Sequence, residues 1–186
     1  MVVAGRVSGL HRLHLRLISK GQALSSATLR AISRATAAKH LAELLRRIPD
    51  ISGDPLHAFT VHAVIVFGSF VSDKQKLGDT DVAVHLEAKQ STEDEYRRRL
   101  DGLLARASLE GRTPSYVVEA SCWPHLEVFR DLRRGLRQLR LHELHGLQKL
   151  GALDRCVVFG DPDTVKTILP KARIRAFLAL GDESKL

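Results

Sequence analysis

Residues 61–86 constrain the fold of this chain more than any other stretch, because two apolar runs there enclose a short polar segment. The first run, AVIVF at residues 63–67, has no polar alternation, which is typical of a strand buried on both faces. Gly68 and Ser69 end this run, and a second apolar run follows at residues 82–84. The pattern predicts two adjacent strands joined by a tight bend and a loop.

Two aspartates lie at the start of the second run. Asp79 and Asp81 are separated by Thr80, and in a strand residues i and i+2 point to the same face. Two neighbouring carboxylates repel each other and are costly to desolvate. A bound Mg²⁺ ion would remove both costs, since Mg²⁺ prefers carboxylate oxygens. The spacing therefore predicts a magnesium site.

Gly68-Ser69, followed by Asp79-x-Asp81 between two apolar strands, resembles the signature of the polymerase-β-type nucleotidyltransferase superfamily. The likeness is to its minimal bacterial and archaeal members and covers residues 58–160. It implies an α/β (α+β) fold, with a small mixed sheet and flanking helices. It also implies a nucleoside triphosphate (NTP) as substrate.

The resemblance assigns roles to the motif residues. Gly68 and Ser69 would hold the β- and γ-phosphates, since glycine lets the backbone approach closely and serine adds a donor. Asp79 and Asp81 would bind two Mg²⁺ ions about 4 Å apart. These two aspartates are the predicted catalytic and metal-binding pair.

The family places a third carboxylate on a later strand, where it binds metal and helps to deprotonate the acceptor. Glu119 is the candidate for this catalytic and metal-binding role, because it is the one acid in a strand-like run after Asp81, at residues 115–120. The alternative is a surface residue of an edge strand.

The loop between the two motifs carries two further candidates. Lys74 and Lys76 could bind the triphosphate, or they could belong to a solvated loop.

The charge of the chain is concentrated near its start. Residues 1–60 contain nine lysines and arginines and three acids, and the whole chain has a net charge of +8. This asymmetry predicts contact with a polyanion. Residues 1–42 contain no acid, which is also a property of transit peptides.

Helical patterns in this segment predict three short helices, the third over residues 34–47 with Ser33 as its N-cap. They resemble a helix-turn-helix (HTH) unit, whose third helix would bind duplex DNA. The DNA-binding candidates are Ser33, Arg34, Thr36, Lys39 and His40. The alternative is a helical packing domain with a solvated basic face.

Three segments are therefore predicted: an HTH-like domain at 1–55 that ends in a linker or wing at 48–55, a nucleotidyltransferase domain at 58–162 and a helical tail at 163–186. A long helix is predicted from Trp123 through residue 150, with Arg133, Arg134, Arg137 and Arg140 on its solvated side.

Composition limits the class of protein. The chain is 44% apolar and 27% charged, as in ordinary globular proteins, and no apolar run approaches a membrane span. Its two cysteines have no metal-type spacing, which favours a reducing cytoplasm.

The expected function is a Mg²⁺-dependent nucleotidyltransferase that transfers a nucleoside monophosphate to a hydroxyl of a protein or nucleic acid. The family resemblance suggests a protein or RNA acceptor in a toxin–antitoxin pair. The alternative is a DNA-binding regulator whose nucleotidyltransferase fold is a nucleotide sensor or inactive.

Overall fold

The computed structural model describes residues 30–89, 91–150, 154–170 and 173–175. Its helices are α1 (Arg34–Gly53), α2 (Glu93–Leu109), α3 (Val117–Arg133) and α4 (Pro162–Ile168). Its strands are β1 (Ile32–Ser33), β2 (Phe59–Phe67), β3 (Lys76–Leu77), β4 (Thr80–Ala88), β5 (Leu139–Glu143), β6 (Asp154–Phe159) and β7 (Arg173–Arg175). The first two predicted helices fall before residue 30, outside the described residues. No helix within these ranges combines the length and hydropathy needed to cross a membrane.

Strand β2 is the middle strand of a five-stranded sheet with the order β5-β4-β2-β6-β7. It runs antiparallel to β4 and β6, whereas the β4–β5 and β6–β7 pairs are parallel. The register places Phe67, the last residue of β2, opposite Asp81 of β4. The predicted mixture of helices with a small mixed sheet is confirmed.

Burial on both faces explains why residues 63–67 of β2 have no polar alternation. One face packs against α1 and α3, and this core includes Val64, Val66, Val82, Val84, Leu41, Leu44, Val128 and Leu132. The other face packs against the turn after β5 and against α4, and this core includes Ala63, Ile65, Phe67, Ala83, Leu147 and Val165. A strand enclosed in this way contributes about 1.5–3 kcal/mol for each large apolar side chain that it buries.

Helix α1 belongs to the same core as the sheet. Its buried residues Ala37, Leu41, Leu44, Ile48 and Ile51 are at most 5% exposed and share one cluster with sheet residues. The boundary predicted between residues 55 and 58 is therefore wrong for α1, which is part of the sheet-containing unit.

The end of α1 also differs from the prediction, which made residues 48–55 a linker or wing. The helix continues to Gly53 with Pro49 inside it. A proline inside a helix costs about 3 kcal/mol. Burial of Ile48 and Ile51, 2% and 5% exposed, offsets that cost.

Two elements after residue 110 were predicted with the wrong secondary structure. Residues 117–120 are the first turn of α3 and not a strand. The predicted long helix ends at Arg133, because Gly135 has a φ of +74°, a conformation that side-chain-bearing residues rarely adopt. Strand β5 follows and forms an edge of the sheet.

The predicted tail is, in its described part, an extension of the same unit. Val165 of α4 and Leu169 after it are 0% and 2% exposed and pack on the sheet. Strand β7 pairs in parallel with β6. Residues 171, 172 and 176–186 lie outside the described residues.

A buried polar contact fastens α3 to the segment before β2. The carboxylate of Asp131 accepts a hydrogen bond from His57 Nε2 at 3.2 Å, and His57 is 1% exposed. Burial raises the pKa of the Asp131 carboxyl, but the His57 hydrogen bond and the nearby Arg130 and Arg134 outweigh burial and lower this pKa to about 2. The ionised form of Asp131 therefore stabilises the fold.

Candidate functional site

The bend after β2 requires glycine. Gly68 has a φ of +70° and begins a short 3₁₀ turn, Gly68–Val71. A Cβ atom at this position would lie 2.9 Å from Oδ2 of Asp81, closer than real Cβ contacts allow. The left-handed backbone strongly favours glycine, and a Cβ atom would require the Asp81 carboxylate to move. The bend and the aspartate pair are thus in direct contact.

The two aspartates lie where β4 begins. Asp79 precedes the first residue of β4, Thr80, which is fully buried, and Asp81 follows it. The side chains of Asp79 and Asp81 are 23% and 24% exposed. Both carboxylates are contacted from the neighbouring strand β5, which places them on one side of the sheet.

Strand β5 supplies two basic partners. Arg140 Nε lies 2.7 Å from Oδ2 of Asp79, and His142 Nε2 lies 3.2 Å from Oδ1 of Asp81. Arg140 and His142 are two residues apart on a strand parallel to β4, so they share a face. The His142 ring also contacts Phe67 edge to face, with ring centroids 5.3 Å apart. Each carboxylate is therefore partly neutralised by a cationic or hydrogen-bonding side chain.

Sequence reasoning missed Arg140 and His142, because this stretch was interpreted as helix. The available signal was the alternation of Leu139 and Leu141 with Arg140 and His142, which has the period of a strand.

Ser69 has a structural contact of its own. Its hydroxyl donates a hydrogen bond to the carbonyl oxygen of Asp79 at 3.2 Å, and the Ser72 hydroxyl donates to the carbonyl oxygen of Ser69 at 2.7 Å. These two bonds tie the bend to the segment that carries the aspartates. Ser69 therefore positions both motifs relative to each other.

Arg34 holds the loop that follows the bend. Its guanidinium donates hydrogen bonds to the carbonyl oxygens of Phe70 at 2.8 Å, of Lys74 at 3.2 Å and of Ser72. It also lies over the Phe70 ring, 5.5 Å from the centroid. The Arg34 backbone N–H donates to Gln75 O at 3.1 Å. Its role as a DNA-binding residue is not supported, since this side chain is occupied within its own chain.

The remaining DNA-binding candidates differ in their exposure and in their contacts within the chain. Ser33 caps α1 by accepting a hydrogen bond from Thr36 N at 3.1 Å, and its hydroxyl lies 2.9 Å from that of Thr36. Lys39 is exposed, whereas His40 is half-buried. The two preceding helices of the expected HTH unit fall outside the described residues, so DNA binding by this segment stays a prediction.

The two loop lysines are both exposed. Lys74 precedes β3, and Lys76 lies within β3, which pairs with β1. A contact of their side chains with phosphate stays a prediction.

Glu119 lies on a helix and not on a strand, and within the described residues it does not join Asp79 and Asp81 in a group of metal-ligating side chains, so its predicted placement is wrong. Its carboxylate accepts a hydrogen bond from the backbone N–H of Ser115 at 2.6 Å, in the first turn of α3. An acid at that position is stabilised by the helix N-terminus. Helix α3 buries Val128 and Leu132 against the sheet face opposite to the one that carries Asp81.

The chemistry of this site suits one magnesium ion better than two. Mg²⁺ is commonly held by one or two carboxylates together with substrate phosphates, and Asp79 and Asp81 meet that need. Within the part of the chain that the structure describes, no group of three metal-ligating side chains is found. The second ion predicted from the sequence has no third carboxylate there.

Comparisons of the chain with protein-family models, with curated proteins and with solved structures found no match.

Proposed function

We propose that this chain is a Mg²⁺-dependent nucleotidyltransferase that binds an NTP between the Gly68 bend and the Asp79–Asp81 pair. The observation that carries the proposal is the contact of Gly68 with Asp81, where a Cβ atom would lie 2.9 Å from Oδ2. A backbone without a side chain thus borders a carboxylate pair. This combination suits a metal-bound polyphosphate, because phosphate oxygens need both close backbone approach and a cation.

Each side chain has a role in the proposed reaction. Asp79 and Asp81 hold Mg²⁺, which neutralises phosphate charge and stabilises the leaving oxygen when bound. Arg140 leaves Asp79 and binds the phosphates, for which its planar guanidinium is suited. His142 accepts the proton of the acceptor hydroxyl.

The bond changes in this reaction balance. The acceptor oxygen attacks the α-phosphorus and forms a new phosphodiester or phosphoester bond. The bond from the α-phosphorus to the bridging oxygen breaks, and pyrophosphate leaves with that electron pair. The acceptor, a protein or a nucleic acid, ends with one nucleoside monophosphate attached.

A second candidate function is a nucleotide sensor without transfer activity, in a regulator that binds DNA through its basic N-terminal segment. Its supporting observation is the pairing of both carboxylates with Arg140 and His142, together with the absence of a third acid near them in the described ranges. Such a site would bind Mg·NTP and use the bound state as a signal.

Two measurements on the same proteins separate these functions. Binding of a fluorescent ATP or GTP analogue is measured with Mg²⁺, and pyrophosphate release is measured with candidate protein and RNA acceptors. The double variant Asp79→Asn/Asp81→Asn is compared with Asp94→Asn/Asp101→Asn, which removes two exposed acids from α2.

The proposed enzyme binds nucleotide and releases pyrophosphate, and both activities are lost only in the Asp79/Asp81 variant. A sensor also loses nucleotide binding in the Asp79/Asp81 variant. Its wild-type form, however, binds nucleotide without releasing pyrophosphate. A wild-type protein that binds no Mg·NTP contradicts both functions.

A further inference from the structure

A cleft lined by arginines opens between the end of α3 and the edge strand β5. Its volume is about 610 Å³, and it is lined by Arg130, Arg133, Arg134, Arg137 and the apolar side chains of Leu126 and Phe129, among others. Among the described residues, none that lines this cleft is acidic. Leu126 is 45% exposed and lies among these arginines. The arginines expected to form a simple solvated face therefore surround an apolar floor.

Two of the four arginines have charge available for a ligand. Arg130 and Arg134 pair with Oδ1 of Asp131 at 3.1 and 2.9 Å. Arg133 and Arg137 are exposed, and in the described parts of the chain neither forms an ion pair with a carboxylate. The cleft thus presents two uncompensated guanidinium groups.

Basic residues near a helix C-terminus often serve only to neutralise the last carbonyl groups. Here Arg47 of α1 already does so, since its guanidinium donates to the carbonyl oxygens of Leu132 at 3.0 Å and of Arg134 at 2.7 Å. Within the described residues, Arg133 donates only one long hydrogen bond, 3.5 Å, to the carbonyl oxygen of Arg137, which leaves its charge unpaired. The clustering of Arg133 and Arg137 around the cleft requires another explanation.

We propose that this cleft, hereafter the arginine cleft, binds single-stranded nucleic acid. Arg133 and Arg137 bind successive phosphates, and bases pack on Leu126 and Phe129. Single-strand binding sites combine a positive groove with apolar or aromatic surfaces for bases, and arginine also stacks on base planes. The acidic side chains of a peptide would pair with the arginines but have no planar surface to stack on them or on Phe129, whereas bases have one.

The arginine cleft and the aspartate pair are close along the chain but lie on different faces of the sheet. Arg137 precedes Arg140 by three residues, so their Cα atoms are at most about 11 Å apart. Gln138 between them accepts a hydrogen bond from Thr80 N at 2.9 Å. The cleft itself lies on the α3 side of the sheet, since Leu141 packs in the core shared with α3, whereas Asp79 and Asp81 lie on the other side. The binding site itself does not depend on whether the chain transfers nucleotides.

The test measures binding of a fluorescein-labelled single-stranded RNA 12-mer to the full chain by fluorescence anisotropy, at several salt concentrations. The variant Arg133→Gln/Arg137→Gln is compared with Arg97→Gln/Arg98→Gln, which removes the same charge from the exposed face of α2. The basic N-terminal segment is identical in both proteins, so their difference reports on the cleft alone.

The cleft variant is expected to bind at least tenfold more weakly, with a log–log salt slope smaller by about 1.4, since two phosphate contacts are lost. The control pair changes affinity less than twofold. A third variant, Leu126→Ser, weakens binding severalfold and leaves the salt slope unchanged. If Arg133→Gln/Arg137→Gln does not fold, the single variant Arg137→Gln, in an exposed turn, is expected to reduce the slope by about 0.7.

Three results would overturn the proposal. They are equal weakening by the two double variants, absence of binding by wild type, and displacement of the RNA by polyglutamate of equal charge concentration. Tighter binding of a duplex than of the single strand would also overturn it.

Discussion

Nε of Arg140 lies 2.7 Å from Oδ2 of Asp79. Arg140 belongs to β5, the strand from which a third carboxylate could have reached the aspartate pair. An arginine at this place changes the expected chemistry, because it competes with a metal ion for Asp79 in the absence of nucleotide. In the proposed function it also provides a cation for phosphate once Asp79 binds the metal. The site is therefore less acidic than a three-carboxylate site.

Replacing Arg140 should affect Mg²⁺ and nucleotide in opposite directions. In Arg140→Gln the affinity for Mg²⁺ alone rises, since Asp79 no longer has a competing cation, whereas the affinity for Mg·NTP falls about fivefold or more. Isothermal titration with Mg²⁺ and then with Mg·NTP measures both. The control is Arg97→Gln on α2, which should change neither affinity. Parallel changes of the two affinities would contradict the proposed dual role.

Substitution of Gly68 should disturb the bend and the site together. Gly68→Ala requires a left-handed alanine, which costs about 1–2 kcal/mol, and its Cβ displaces the carboxylate of Asp81. We expect lower stability and a loss of nucleotide affinity of about tenfold or more. Gly78→Ala is the matched control, because a Cβ there meets no atom within 4 Å. Unchanged nucleotide binding by Gly68→Ala would argue against this bend as the phosphate site.

Loss of Arg34 should release the loop at residues 70–75. In Arg34→Gln the carbonyl groups of this loop lose their donors, so amide hydrogen exchange there becomes faster and nucleotide affinity falls severalfold. Lys39→Gln, an exposed charge on the same helix, should leave both unchanged. Hydrogen exchange followed by mass spectrometry localises the effect. If the two variants behave alike, Arg34 has no special role in holding the loop.

The contribution of Asp131 should depend on pH. Its folded-state pKa is about 2 and its ordinary value is 3.8, so ionised Asp131 stabilises the fold above pH 3.8. That stability is lost as the pH falls through about 2. At pH 7, Asp131→Asn should lower the free energy of unfolding by about 2 kcal/mol. Urea unfolding at pH 7 and pH 3 measures this, and the difference from wild type should be clearly smaller at pH 3. A difference that is the same at both pH values would contradict the assigned cause.

The part of the fold around the two motifs followed directly from local patterns. The unbroken apolar run of β2 predicted a strand buried on both faces, and the i, i+2 spacing of Asp79 and Asp81 predicted carboxylates on one side. The start of α2 follows a local rule of the same kind, since Thr92 and Glu95 form a capping box. In each case one local rule governed the outcome.

The parts that failed depend on long-range packing. Residues 136–150 carry leucines at spacings that fit a helix, yet Leu139 and Leu141 belong to β5, which is held by its parallel pairing with β4. Glu119 lies in a stretch with high strand propensity that becomes the first turn of α3. Arg34 has an exposed-helix pattern, but its partners lie 36 to 40 residues further along the chain. Contacts between residues so far apart in the chain leave no signal in a short stretch of sequence.

The position of the metal is the most direct test of the account. Fe²⁺ substituted for Mg²⁺, with NTP, ascorbate and peroxide present, cleaves the backbone close to the bound metal, and mass spectrometry identifies the cut sites. We predict NTP-dependent cleavage at residues 78–82 and at residues 68–69. Cleavage elsewhere, or cleavage at these residues that persists in Asp79→Asn/Asp81→Asn, would contradict a metal–nucleotide site at the Gly68 bend.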